Sequence, residues 1–169
     1  MKLLLVSALA ALLTAPVAAQ DKSQLTATNA LPAEDDLAVR QVIARANQAL
    51  DTGDYELYAS FYTEDAVFTS GFGSTEGREA IIAAMEASRP FITNKRHVSG
   101  NYVVNGEGDT AVVSTYLIVF ERETDLTYVG SALNVDTLVR TDAGWKIQRH
   151  ESTLDPATER AMNALMGNQ

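Results

Sequence analysis

The spacing of apolar and polar positions divides the chain in two. Between Asp35 and Tyr62 apolar residues recur at steps of three and four; from Asn94 onward the step is two. Val39, Val42, Ile43, Ala46, Ala49 and Leu50 form one stripe of an amphipathic helix, with Arg40, Gln41, Arg45 and Gln48 opposite. Asp35 and Asp36 stand where carboxylates stabilise the free N–H groups of an opening turn. Gly53 suits a left-handed exit, and Asp54 suits the cap of a second helix whose stripe is Leu57, Tyr58, Phe61 and Tyr62. Thr63, Glu64 and Asp65 break that pattern, and Ala66-Val67-Phe68 open a strand. A third short helix is expected from Glu79 to Ala87, with Ile81, Ile82 and Met85 on one side and Arg89-Pro90 as its end.

The second half predicts four strands, near residues 94–104, 110–122, 127–140 and 145–153. Asn105-Gly106-Glu107-Gly108 and Thr141-Asp142-Ala143-Gly144 read as hairpin turns, so the neighbours should pair antiparallel. The strand Ala111 to Phe120 is apolar on both faces. One face should pack on the helices; the other needs a pocket wall or a second subunit over it. In the next strand Tyr128, Gly130, Ala132, Asn134 and Asp136 share one face and Val129, Leu133, Val135 and Val139 the other. The small and isolated polar residues suit either a ligand-accepting concave face or a solvent face. Gly71-Phe72-Gly73-Ser74 lacks the lysine and spacing of a phosphate loop and reads as a plain turn.

The ends add a compartment. Residues 1–19 have the form of a secretory signal peptide: basic Lys2, an apolar run from Leu3 to Leu13, and Val17-Ala18-Ala19 before the expected cut after Ala19. The mature protein is expected to be periplasmic or secreted, without stable membrane insertion once the signal is removed. Residues 20–34 read as a flexible lead-in, 35–155 as one domain, and 156–169 as a C-terminal tail, either a short helix or disordered. With no cysteine there can be neither disulfides nor thiolate chemistry. The formal charge of −9, with its basic residues scattered, argues against nucleic acid as a partner.

Taken together, Ala49-Leu50-Asp51-Thr52-Gly53-Asp54, then Phe61-Tyr62-Thr63-Glu64-Asp65-Ala66, Gly77-Arg78-Glu79-Ala80-Ile81 and the closing Gly144-Trp145-Lys146-Ile147 resemble the SnoaL-like branch of the nuclear transport factor 2-like superfamily. The resemblance covers about 35–155. It implies an α+β cone: a curved antiparallel sheet wrapped round a helical hairpin and a third short helix, with a pocket at one end. Members similar to scytalone dehydratase carry an aspartate, a histidine and an asparagine that fall on Asp51, His97 and Asn134 here. Where those enzymes place a second histidine this chain has Val119, Phe120 and Glu121.

Asp51 sits in the last helical turn, where the dipole disfavours a carboxylate, as a base working near neutral pH requires. The other reading of Asp51 is a solvated side chain, or one bonded to turn amides near Gly53. His97 is the side chain suited to proton transfer, yet it shares alternation phase with Lys95, Ser99 and Asn101, an ordinary wet face unless a bulge intervenes. His150 and Glu151 are adjacent on a strand and point to opposite faces, so they form no dyad. No spacing suits a metal, and no cofactor is called for. Trp145 reads as a core plug.

Two functions remain open. The first is a cofactor-free lyase or isomerase acting on a small apolar organic molecule through Asp51, His97 and Asn134, in a pocket walled by Phe61, Tyr62, Phe68, Tyr116 and Asp136. The second is a noncatalytic ligand-binding or accessory domain of the cell envelope. In either case the apolar second face of the strand Ala111 to Phe120 predicts a homodimer through the sheet.

Overall fold

The structure, a computed structural model, describes residues 29–125 and 127–167. The expected signal peptide and the first part of the lead-in lie outside the described residues.

Helix α1 runs from Ala33 to Thr52, starting two residues earlier than the acidic pair suggests. Its N-cap is Pro32, without a side-chain cap, and the Pro32 carbonyl accepts from the Asp35 and Asp36 amides. Asp35 is therefore free for another task. It accepts from Trp145 Nε1 at 3.1 Å and pairs with Arg140 Nη2 at 2.7 Å, while the Arg140 guanidinium lies over the Trp145 ring. Arg140, and after it the Trp145 N–H, hold the Asp35 carboxyl below its ordinary range. Trp145 is buried, so the core plug is also the anchor of the helix start.

Gly53 closes α1 at φ 76°, its amide bonded to the Leu50 carbonyl. A left-handed residue here reverses the chain within one position, and a side chain would strain it. Asp54 then caps α2 (Tyr55–Ser60), accepting from the Leu57 amide at 2.9 Å. The chain continues through β1 (Tyr62–Ser70), β2 (Gly73–Glu76), α3 (Arg78–Ala87) and a single turn, α4 (Arg89–Ile92). Pro90 does not stop that turn, because a proline at the start of a helix gives up an N–H that has no partner there. Strands β3 (Lys95–Glu107), β4 (Thr110–Glu121), β5 (Tyr128–Thr141) and β6 (Gly144–Leu154) follow, then α5 (Pro156–Gly167). The C-terminal segment is thus a helix, packed through Thr158 against Gly130.

The six strands lie in the order β2-β1-β6-β5-β4-β3. The last four pair antiparallel, as their short turns require. The expected all-antiparallel sheet needs one correction: β1 pairs β6 in parallel. No hairpin joins those two strands, so no turn dictates their direction. The sheet is therefore mixed, in an α+β fold.

The helices pack on one face of this sheet. Val39, Ile43, Ala46 and Ala49 of α1 meet Tyr55 and Tyr58 of α2, Ile81 and Met85 of α3, and Ala111, Val113, Leu138 and Ile147 of the strands. Gly130, Ala132, Asn134, Asp136 and Leu138 of β5 are all buried, so the small and polar face is the inner one, not a solvent face. On the opposite face Val98, Tyr116, Ile118, Tyr128 and Val129 are exposed. Tyr116, expected as a pocket wall, is among them. Ala111, Val113 and Thr115 point inward, and strict alternation turns the next residue outward.

The end of the expected lead-in is also structured. The Asn29 carbonyl accepts from the Gly106 amide, and Leu31 is buried in the core against Gly106. Leu31→Ala should cost about 2–4 kcal/mol of stability, since the cavity forms beside a rigid strand. Urea denaturation checks this; a loss within about 0.5 kcal/mol would return the segment to the surface.

Candidate functional site

The end of α1 and the start of β3 meet in one contact. His97 Nδ1 lies 2.7 Å from Asp51 Oδ1, and the His97 backbone N–H donates to both carboxylate oxygens, at 3.1 and 3.3 Å. Arg96 Nη1 stands 3.6 Å from Asp51 Oδ2. Asp51 makes no bond to the turn amides near Gly53, which are satisfied by backbone carbonyls. Both side chains are nearly buried, at 3% and 10% exposure, which removes the wet-face reading of His97. Its phase neighbours are occupied too: Lys95 pairs with Glu121, and Ser99 accepts from Asn47 Nδ2.

A bulge makes this possible. Gly100 pairs with Tyr116 and Val103 with Ser114, so Asn101 and Tyr102 together face Thr115. Asn101 takes φ 52° to absorb the extra residue. Lys95, His97 and Ser99 point inward before the bulge; Tyr102 and Val104 do so after it. An ionised Asp51 can only accept, so in the neutral imidazole the proton sits on Nδ1 toward Asp51 and Nε2 carries the lone pair. Nε2 has no partner among the described residues. The dyad can orient an imidazole and offer one basic nitrogen.

A second dyad lies further along the sheet. His150 Nδ1 is 2.7 Å from Asp136 Oδ1, with 12% and 3% of the side chains exposed. The His150 ring stacks on Phe68 at 4.8 Å between centroids and 13° between planes. Tyr62 meets Phe68 edge-on, and the Tyr58 and Tyr62 hydroxyls share a bond of 2.6 Å. Burial, with Asp136 adding to it, pushes both tyrosines up, so their hydroxyls stay protonated. The pair was legible only in part. Counting back from the turn at Thr141–Gly144 would set Asp136 opposite Arg149; an extra residue at Gln148 moves His150 into that place. Glu151 is exposed and takes no part.

Between the two dyads lies Asn134, cross-strand neighbour of Thr115. Both are at least 95% buried, and Asn134 Oδ1 and Thr115 Oγ1 find no hydrogen-bond partner. Two such atoms side by side are hydrogen-bonding capacity that the fold itself does not use. Of the expected site residues, Asp51 and His97 touch. Asn134 shares their face but sits four residues along β5 from Gly130, in the row of His97 and Val119. At about 3.3 Å per residue that is roughly 13 Å. Tyr62, Phe68 and Asp136 gather around His150, Phe61 packs against the core, and Tyr116 lies outside. Sequence reasoning missed His150, Tyr58 and Thr115. Among the described residues no group of three or more acidic or histidine side chains could hold a metal, and no helix is long and apolar enough to cross a membrane.

A SnoaL-like domain model matches residues 32–151. The chain belongs to the SnoaL-like family. Solved structures agree. A protein of unknown function with a cystatin-like fold from Nostoc punctiforme is 30% identical, covering 75% of this chain and 96% of its own, with a TM-score of 0.72. A nuclear transport factor 2-like protein from Novosphingobium aromaticivorans is 32% identical over 76% of this chain and 88% of its own, at a TM-score of 0.67. The protein Aln2 from a Streptomyces species is 25% identical over 78% of this chain and 98% of its own, at a TM-score of 0.70. No protein of curated function matches this chain. The SnoaL-like, nuclear transport factor 2-like fold serves isomerases, dehydratases and polyketide cyclases, so the family alone selects no reaction.

For this SnoaL-like chain the dyad geometry makes a spectroscopic prediction. In its neutral form His97 should show the proton on Nδ1, read by nitrogen-15 correlation spectra. Asp51→Asn should shift it toward Nε2, because an amide oxygen binds the proton more weakly than a carboxylate. A His97 protonated on Nε2 in the parent protein would break the assignment of its basic nitrogen.

Proposed function

We propose that this SnoaL-like protein is a cofactor-free lyase or isomerase that moves a proton on a small, largely apolar organic molecule. The contact between Asp51 and His97 carries this reading. It orients an imidazole whose other nitrogen is unpartnered, in a setting nearly closed to water. His97 Nε2 would take a proton from carbon next to a carbonyl. It would return the proton elsewhere on the molecule for an isomerisation, or to a leaving hydroxyl, released as water, for an elimination. Asn134, or Thr115 beside it, would hold a polar atom of the substrate. Because Asn134 stands well along the strand from His97, a substrate touching both must be elongated.

One observation favours a noncatalytic ligand-binding or accessory domain instead. The residue directly across from His97 on β4 is Val119, so that end of the interior has a single histidine and an apolar neighbour. A thermal-shift screen of small apolar ketones and alcohols, followed by turnover assays on each binder, separates the two. For the enzyme, His97→Gln, whose amide N–H can still donate to Asp51, should lower turnover by roughly 10²–10⁴ while leaving the melting temperature close to that of the parent. Binding without turnover, with affinity indifferent to His97→Ala, would leave the binding domain.

The reading includes export, on the strength of residues 1–19, and a homodimer through the outer sheet face. That face exposes Val98, Tyr116, Ile118, Tyr128 and Val129 on three adjacent strands. Sedimentation of residues 20–169 at micromolar concentration should give twice the monomer mass, and Ile118→Lys should restore the monomer; a monomer throughout would refute the dimer.

A further inference from the structure

The Asp136–His150 dyad lies one inward position beyond Asn134 on β5, and nothing in the proposed proton transfer uses it. We propose that this end of the interior is a recognition site for a neutral hydroxyl group. It would bind a phenol, enol or alcohol at the end of the ligand remote from His97, with His150 as the specificity-determining residue.

The chemistry of the facing atoms sets the sign. An ionised Asp136 can only accept, and it takes the Nδ1 proton of His150. His150 Nε2 is then an acceptor, without a partner among the described residues. Asn134 Oδ1 is an unpaired acceptor, at 5% residue exposure, on the same face of the same strand. Thr115 Oγ1, likewise unpaired, can give or take. If the Asn134 amide were turned round, Asp136 and His150 Nε2 would still face the ligand as acceptors. Cations are scarce as well: His150 supplies the salt-bridge partner of Asp136 among the described residues, and no lysine or arginine pairs with it. A carboxylate or phosphate would meet a buried carboxylate with no lysine or arginine paired to it that could offset the dehydration. A neutral O–H supplies the missing proton and carries no charge inward.

The walls suit a flat apolar body. Phe68 holds the His150 plane by stacking, and Tyr58 and Tyr62 lie behind it, their hydroxyls sharing one hydrogen bond that leaves one O–H of the pair free to donate. Those two hydroxyls stay protonated at neutral pH, so they add no second negative charge.

The inference borrows from the proposed function only that a ligand enters the inner face; it does not require turnover. Three probes of one shape test it: 4-ethylphenol, 4-ethylanisole and 4-ethylbenzoate, titrated by NMR against the full mature chain. The phenol should bind about ten-fold more tightly than the anisole, the worth of one well-placed hydrogen bond, and the benzoate most weakly. His150→Phe keeps the stack and removes the nitrogen. It should abolish the phenol preference. Asp136→Asn should shrink the preference in part. The His150 Nε2 nitrogen-15 resonance should move with the phenol and not with the anisole, a readout independent of variant folding. Equal affinity for phenol and anisole, a preference that survives His150→Phe, tighter benzoate binding, or no phenol binding up to millimolar concentration would each overturn the proposal. His97→Ala distinguishes the two readings. If the parent protein and His97→Ala turn over equally or not at all but the phenol preference persists, catalysis fails and the recognition site stands; if turnover depends on His97 and the preference is absent, the reverse holds.

Discussion

A carboxylate that is 97% buried at the negative end of a helix is the constraint from which the geometry of this protein follows. Asp51 cannot be left there alone; an unpaired buried charge would shift to its neutral form or pull the helix end into water. The nearest remedy in most proteins is the glycine turn that follows, but here the Gly53 and Asp54 amides are already spent on helix carbonyls. The compensation comes from the start of β3, as one backbone N–H and one ring nitrogen of His97, with the Arg96 guanidinium 3.6 Å away. That bond fixes where β3 begins relative to α1. It thereby sets the phase of every inward residue up to the bulge at Asn101. The other end of α1 is fixed in the same manner, by Asp35 on Trp145 and Arg140. The helix is pinned to the sheet at both ends by acidic side chains that the amphipathic stripe between them does not supply.

Two bulges then do for chemistry what alternation alone would not. Without the extra residue at Asn101–Tyr102, the first and second halves of β3 could not both point His97 and Tyr102 into the interior. Without the extra residue at Gln148, the residue opposite Asp136 would be Arg149, and a buried arginine–aspartate pair would replace an imidazole with an open nitrogen. An arginine has no basic lone pair to give and would present donors where the histidine presents an acceptor. Each bulge costs a ladder hydrogen bond and places a titratable ring on the buried face.

This also explains which features could be read from the chain. Helix spans, strand spans and hairpin turns follow from periodicity and local turn chemistry, and these were legible to within a few residues. The parallel pairing of β1 with β6 was not, because it depends on no local turn. The partnership of Asp51 with His97 came from resemblance, since nothing in either residue's neighbourhood announces the other. His150 was set aside for a sound local reason, its opposition to Glu151, and its true partner lies across a hairpin whose register shifts by one. Tyr116 failed because a strand apolar on both faces gives alternation no contrast to work with. Leu31 failed because a lone apolar residue in a polar segment has no period at all; what buries it is a long-range approach to Gly106.

The two dyads share a design with a consequence for the whole interior. Each uses its aspartate to hold one imidazole proton, and so turns the other nitrogen into an acceptor. Between the two imidazoles the inner face of the sheet carries the unpaired Asn134 oxygen and Thr115 hydroxyl, with a buried carboxylate behind each ring. A molecule seated against these atoms, as proposed, must bring donors of its own, or leave acceptors stripped of partners at a cost of about 1–3 kcal/mol each. On the proposed reading, selection acts less through shape than through the number of O–H groups a molecule carries and where along its length they stand. The roughly 13 Å between the row of His97 and that of Asn134 makes that position as decisive as the groups themselves.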